Sequence, residues 1–294
     1  MRALVSFSRP HTIIGTALSV IALAVLAGVH AAAPVSWLQT LAVLVGSLAV
    51  NIYIVGLNQL TDIQIDRINK PWLPLASGAM SVPTGRVIVW GCAALAVVIG
   101  LAAGPFALAA FLVGITVGTA YSLPPLRLKR FALWSALSIA SVRGITVNLL
   151  LFAHFLTAVG RQPMVPPLLV ALTSIVLALS LVIAWFKDIP DMDGDRRFRI
   201  HTLTLRLGPR RVIAIGLVVL SIAYGVVIVA GLVGLPNLHG GLLAVAHLVS
   251  LVVLLIASMR VDVTQRPSIA RFYLLVWGLF YAEYVVFPAA GLMA

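Results

Sequence analysis

Charged positions along this chain are confined to short intervals, and the stretches between them are apolar and long enough to cross a bilayer. A helix rises about 1.5 Å per residue, so roughly 20 apolar residues match a hydrocarbon core of about 30 Å. Nine spans are expected, at about 11–31, 37–58, 84–103, 106–122, 133–153, 165–186, 211–233, 241–259 and 269–290. The fourth is short. Gly104-Pro105 sets it apart from the third, because proline removes a backbone donor and breaks a continuing helix. The expected fold class is all-α, a polytopic membrane protein with a single domain over residues 1–294.

Composition agrees with that pattern. The 294 residues are 62% hydrophobic and 10% charged, too apolar for a soluble globular domain. The opening MRALVSFSRPHTIIG runs into a full-length span without a small-residue cleavage site, so no removable signal peptide is expected. The lone Cys92 lies in an apolar run, which leaves no disulfide within the chain and points to a small buried hydrophobe.

A net charge of +12 invites a nucleic-acid reading, but the basic residues are dispersed among loops and form no basic domain or tail. Their placement reports topology. Eighteen of the 20 Lys and Arg residues fall on one side of the nine spans; only Arg161, on the opposite side, and Arg143, inside the fifth span, do not. The positive-inside rule then puts the N-terminus and the loops after the second, fourth, sixth and eighth spans in the cytoplasm, and the C-terminus outside.

The acidic residues are distributed still less evenly. Of eight, six lie in two short segments: Asp62 and Asp66 after the second span, and Asp188, Asp191, Asp193 and Asp195 after the sixth. Asn58, Asp62 and Asp66 are spaced i, i+4, i+8 and stack on one face if the helix continues. Each segment follows the second helix of a four-helix set, which suggests a pseudo-repeat with a ninth helix added. Carboxylates crowded at a low-dielectric mouth repel one another unless protonated or neutralised by divalent cations. Mg²⁺ is typically held by a few carboxylates together with substrate phosphates. Arg67, Lys70, Lys129, Arg130, Lys187, Arg196 and Arg197 stand beside the acids and can grip phosphate oxygens. The combination points to a Mg²⁺–diphosphate site at a membrane face; the alternative is a pair of interfacial loops with ordinary ion pairs.

An isoprenoid diphosphate has the polarity of such a place, with an ionic head at the mouth and an apolar tail inside. Charge drawn onto the departing diphosphate lowers the barrier to C–O cleavage, and the allylic cation must be kept from water. Tyr53 and Tyr121 are candidate ring faces for that cation, or helix-end anchors.

The segments NIYIVGLNQLTDIQIDRINKP (51–71) and FKDIPDMDGDRRFRIHTLTLRLG (186–208) resemble the UbiA superfamily of intramembrane prenyltransferases. FSRPHTIIGT (7–16), TAYSLPPLRLKRF (119–131) and VRGITVNLLLF (142–152) bring the likeness closer to the homogentisate prenyltransferases of the phytyltransferase type. The resemblance implies a helical bundle around a central cavity. It implies metal binding by Asn58, Asp62 and Asp66 in a first motif and by Asp188, Asp191 and Asp195 in a second, with Asp62, Asp66, Asp191 and Asp195 serving catalysis. Lys187 stands where the commoner superfamily spacing has an acid. Lys70, Lys129 and Arg130 are implied to face diphosphate. The implied reaction is Mg²⁺-dependent prenyl transfer to an aromatic ring carbon, with loss of CO₂ when the acceptor is homogentisate.

On the acceptor side, Arg143 is a charge inside a span and costs several kcal/mol unless paired or facing water. An acceptor carboxylate is one partner; backbone carbonyls or an aspartate are the others. Arg9 and His11 open the first span, where Arg9 is a topology charge or a substrate contact, and Asn58, Tyr121, Lys187 and Asp188 are further candidate substrate contacts. His154 is expected at an interface, and Glu283 within the ninth span is open to protonation, pairing or a substrate role. Two alternatives stand beside homogentisate prenylation: prenylation of another phenolic acid such as 4-hydroxybenzoate, and a cation-coupled transporter. Coupling sites usually sit near the bilayer midplane, which the acidic segments do not.

Overall fold

A computed structural model of the chain describes residues 2–294. Among these residues nine helices are long and apolar enough to cross a membrane: α1 (Pro10–Ala31), α2 (Trp37–Thr61), α3 (Val82–Ala103), α4 (Pro105–Ser122), α5 (Ala132–Ala158), α6 (Pro167–Phe186), α7 (Pro209–Val233), α8 (Gly240–Met259) and α9 (Arg266–Leu292). They fall on the nine expected spans with shifted ends. The largest shift is in α5, which runs on to Ala158. Arg266 and Arg271 belong to the first turns of α9 instead of the preceding loop. The chain breaks between α3 and α4 at Gly104, whose φ of 120° suits glycine and strains other residues. Among the described residues the only β-type pairing is one isolated bridge, between Phe131 and His201.

Helix positions follow from how much of each can be covered by protein. The apolar window of α6 is 56% buried, against 17% for α3 and 22% for α8. Thus α6 is the central post, packed against α5, α7 and α9, while α3 leans on α2 and α8 on α7 at the periphery. Lipid tails are as apolar as leucine, so these contacts depend on close fit. Gly144 illustrates it: a Cβ there would stand 2.9 Å from the Leu177 Cα of α6.

Three expectations about single residues change, and the open one for Glu283 resolves to pairing. Tyr53 is fully buried, its hydroxyl 2.6 Å from Thr119 Oγ1 of α4, in the core and away from any opening. His154 is buried at 4% exposure against Phe155 instead of lying at an interface. Cys92 is only half-buried, packed at the edge of the core. Glu283 pairs with His247 of α8 at 2.8 Å, both buried. His247 Nδ1 donates to the Leu243 carbonyl at 2.7 Å, so Nε2 is the atom that meets the carboxylate.

Candidate active site

The two acidic segments converge on one mouth of about 260 Å³, lined by Asn58, Asp62, Asp66, Asp188, Asp191 and Asp195 together. The first segment is not one helix. α2 stops at Thr61, Asp62 has non-helical backbone (φ −117°, ψ 18°), and a short helix resumes over Ile63–Asn69. The three positions of the i, i+4, i+8 pattern still face the mouth because the interruption is a single residue. Asp195 sits on a second short helix, Met192–Arg197, which Asp191 immediately precedes.

Cations neutralise the carboxylates one by one. Asp62 accepts from Lys129 Nζ at 2.8 Å and from Arg127 Nη2 at 3.3 Å. Lys187 Nζ donates to Asp188 at 2.6 Å, and Lys70 donates to Asp191. Burial by itself would discharge Lys187, but the contact with Asp188 outweighs it and holds the ammonium well above the usual lysine range. Among the described residues Asp66 and Asp195 have no such partner. Burial above all pushes the Asp66 carboxyl up to about 6, and pushes Asp195, with Asp188 and Asp191 adding, up to about 8. Asp66 Oδ2 and Asp191 Oδ1 are buried without any hydrogen-bond partner. Among the described residues no three acidic, His or Cys side chains close on a common point. Even so, unpartnered buried carboxylate oxygens in an all-oxygen donor set fit a hard divalent cation such as Mg²⁺.

Three loops tie the mouth together. The α4–α5 loop reaches the first acidic segment through Arg127 and Lys129, whose Nζ also donates to Thr61 at 2.7 Å. It reaches the second through Arg130, whose carbonyl accepts from the His201 N–H at 3.0 Å. The two acidic segments meet directly through Lys70 and through Asn69 Oδ1, which accepts from the Gly194 N–H at 2.9 Å. Arg9 is placed by the N-terminal helix Arg2–Phe7. Phe7 is buried against Gly56, and Gln59 Nε2 donates to its carbonyl at 2.8 Å. Arg9 and Arg127 both adopt left-handed backbone, with φ of 52° and 40°, a strained conformation in residues other than glycine.

Behind the mouth lies an apolar chamber of about 210 Å³, walled by α1, α2, α4, α5, α6 and α9. Arg9, His11, Asn58, Tyr121, Lys187 and Tyr273 line both spaces, so they form the passage between them. Arg143 projects into the chamber from a π-helical turn, Ser141–Thr146, within α5. Such turns often mark functional positions in helices. Its guanidinium lies over the Trp277 ring, 4.6 Å from the centroid, and 5.7 Å from that of Phe280. Among the described residues neither an aspartate nor a backbone carbonyl is its partner. Asn148 is engaged elsewhere: its amide donates to the Gly144 carbonyl, and Tyr284 OH donates to its oxygen at 2.8 Å.

Not every expected residue arrives at the site. Arg130, Arg67, Arg196 and Arg197 are exposed and line neither space, and Asp193 is exposed in a pair with Arg266. Tyr121 lines the passage, whereas Tyr53 lines neither space. Arg127, which lines neither space but pairs with Asp62, and Asn69, Tyr273 and Trp277, which line them, had not been singled out. The first two stand in stretches that the motifs already marked; the aromatic pair carries no signal in an apolar span.

A model of the UbiA prenyltransferase family matches residues 17–282. The chain is 43% identical to a homogentisate phytyltransferase of Synechocystis sp., over 97% of this chain and 94% of that one. It is 40% identical to a homogentisate geranylgeranyltransferase of Hordeum vulgare, over 98% and 72%. A solved structure of a UbiA homolog from Archaeoglobus fulgidus, bound to GPP and Mg²⁺, superposes with a TM-score of 0.69 at 16% identity, over 98% of this chain and 99% of that one. The shared fold and the extent of these matches lead to one conclusion: the chain belongs to the UbiA prenyltransferase family.

Proposed function

We propose that this membrane enzyme transfers a prenyl group from an isoprenoid diphosphate to an aromatic ring carbon of homogentisate, with Mg²⁺. The observation that carries this reading is the continuity of two unlike spaces. A mouth of carboxylates and cations opens through six shared residues onto an apolar chamber into which Arg143 projects over Trp277. The diphosphate takes the mouth and the prenyl chain the apolar walls. The relatives' names support homogentisate as acceptor.

Asn58, Asp62, Asp66, Asp188, Asp191 and Asp195 are the residues that would hold Mg²⁺, which when bound supplies positive charge to the leaving diphosphate. Lys70, Lys129, Lys187, Arg127 and Arg9 provide donors for phosphate oxygens. Binding exchanges the carboxylate partners of the first four for the substrate, so these cations already stand in place. As the C–O bond breaks, its electron pair leaves with the diphosphate. Tyr121 and Tyr273 line the passage, where aromatic rings can stabilise the developing cation, and the apolar walls exclude water. The ring carbon of the acceptor forms the new C–C bond with that cation and gives up its proton, while the acceptor's carboxylate leaves as CO₂ and the methylene carbon it leaves behind takes up a proton. Arg143, lying on Trp277, receives the acceptor carboxylate before it departs. The lysine and arginine distribution supports a cytoplasmic mouth and N-terminus.

The test is turnover by detergent-purified protein with Mg²⁺, homogentisate and either phytyl or geranylgeranyl diphosphate. Acceptor-dependent release of diphosphate with a prenylated, decarboxylated product is expected. Product from 4-hydroxybenzoate alone would replace the acceptor, and no acceptor-dependent release would overturn the reading.

A further inference from the structure

Asn69 ends the short helix Ile63–Asn69, and its side chain is buried against the second acidic segment. Its Oδ1 accepts from the backbone N–H of Gly194 at 2.9 Å, across 125 positions of sequence. Gly194 lies between Asp191 and Asp195 on the helix Met192–Arg197. A Cβ at Gly194 would stand 2.5 Å from Asn69 Oδ1 and 2.6 Å from Nδ2, so the contact exists only because glycine leaves room for the carboxamide. The other direct hydrogen bond between these segments, Lys70 to Asp191, joins two charged groups that a cation and a diphosphate would each draw away. Asn69 and Gly194 are neutral, and their bond has no reason to break when charge enters the mouth.

We infer that Asn69 is a positioning residue, holding the two acidic segments at the separation at which both face the same cations. The inference rests on the function proposed above. With the bond, the segments are matched before metal arrives. Without it, part of the metal-binding free energy is spent in drawing them together, so affinity falls while the chemistry of a saturated site is retained.

The experiment follows Mn²⁺ binding by electron paramagnetic resonance in the presence of a non-ionising prenyl thiodiphosphate, alongside Mg²⁺-dependent turnover. Asn69→Ala should raise the Mn²⁺ midpoint and the Mg²⁺ half-saturation about tenfold, with kcat at saturating Mg²⁺ within about threefold of wild type. Gly194→Ala, which pushes Asn69 away from the other side, should do the same. Asn69→Asp keeps an acceptor oxygen for the Gly194 N–H and should bind Mn²⁺ at or below the wild-type midpoint. Thermal midpoints in EDTA identify folded variants, and Asn69→Ser replaces the alanine variant if that one does not purify. A folded Asn69→Ala protein with unchanged Mn²⁺ and Mg²⁺ midpoints overturns the positioning role alone. So does a weakened Asn69→Ala beside a normal Gly194→Ala, which would make Asn69 a direct ligand. A wild-type protein that neither binds Mn²⁺ with the analogue nor releases diphosphate overturns the proposed function and this inference with it.

Discussion

Arg143 holds its guanidinium 4.6 Å above the Trp277 ring, inside a membrane span and facing the chamber. Among the described residues no carboxylate pairs with it. A desolvated cation on an indole face gains about 2 kcal/mol, which offsets only part of its cost in the bilayer. A site that tolerates that deficit is suited to a ligand that brings the missing negative charge.

Arg143→Gln removes the charge and keeps hydrogen-bonding capacity. Losing one charge-assisted contact in a partly dry site is worth about 1.5–3 kcal/mol, so kcat/KM for the acceptor should fall roughly ten- to hundredfold. The KM for the prenyl diphosphate should stay near wild type, because the phosphate-binding cations are elsewhere. A stable variant with unchanged acceptor kinetics would remove Arg143 from the acceptor site.

Asp62→Ala and Asp191→Ala should each abolish turnover while helical content by circular dichroism is retained. EDTA should abolish wild-type turnover, and Mg²⁺ should restore it. Near wild-type activity of either variant at limiting Mg²⁺ would contradict the shared metal site.

Arg127 and Arg130 are three residues apart and differ only in where the loop turns them. Arg127 reaches Asp62, while Arg130 is exposed. Arg127→Gln should lower kcat/KM for the diphosphate about tenfold, and Arg130→Gln should change it less than about twofold. Equal losses in the two variants would mean that the phosphate contacts do not follow this arrangement.

The Glu283–His247 pair lines neither space, so its removal should act on stability. Glu283→Leu leaves a buried imidazole unpaired and should cost about 3–5 kcal/mol in detergent unfolding. The double variant Glu283→Leu/His247→Leu should recover most of that loss. A double variant as unstable as the single one would show that packing, not the unpaired group, sets the cost.

Membrane orientation can be read by labelling. In a Cys92→Ala background, cysteines at the exposed positions Ser77 and Thr264 should react with an impermeant reagent only from the cytoplasm, and one at Asn237 only from outside. Labelling of the Ser77 and Asn237 cysteines from the same side would refute the nine-span topology.

The nine spans, the two acidic segments and the basic loops beside them were legible in the sequence, because a bilayer imposes length and polarity on each segment separately. The spacing of Asn58, Asp62 and Asp66 even named a common face. Yet the helix breaks at Asp62, and the three residues share the mouth through a turn that the spacing does not record. Contacts between distant segments were not legible. Asn69 meets Gly194, Arg127 rather than Arg130 reaches Asp62, Tyr53 turns into the core, and Arg143 finds Trp277. An apolar span facing lipid and one facing a cavity have the same composition, so which side chains meet was decided only when the helices packed, by close fit at positions such as Gly144, Gly56 and Gly194.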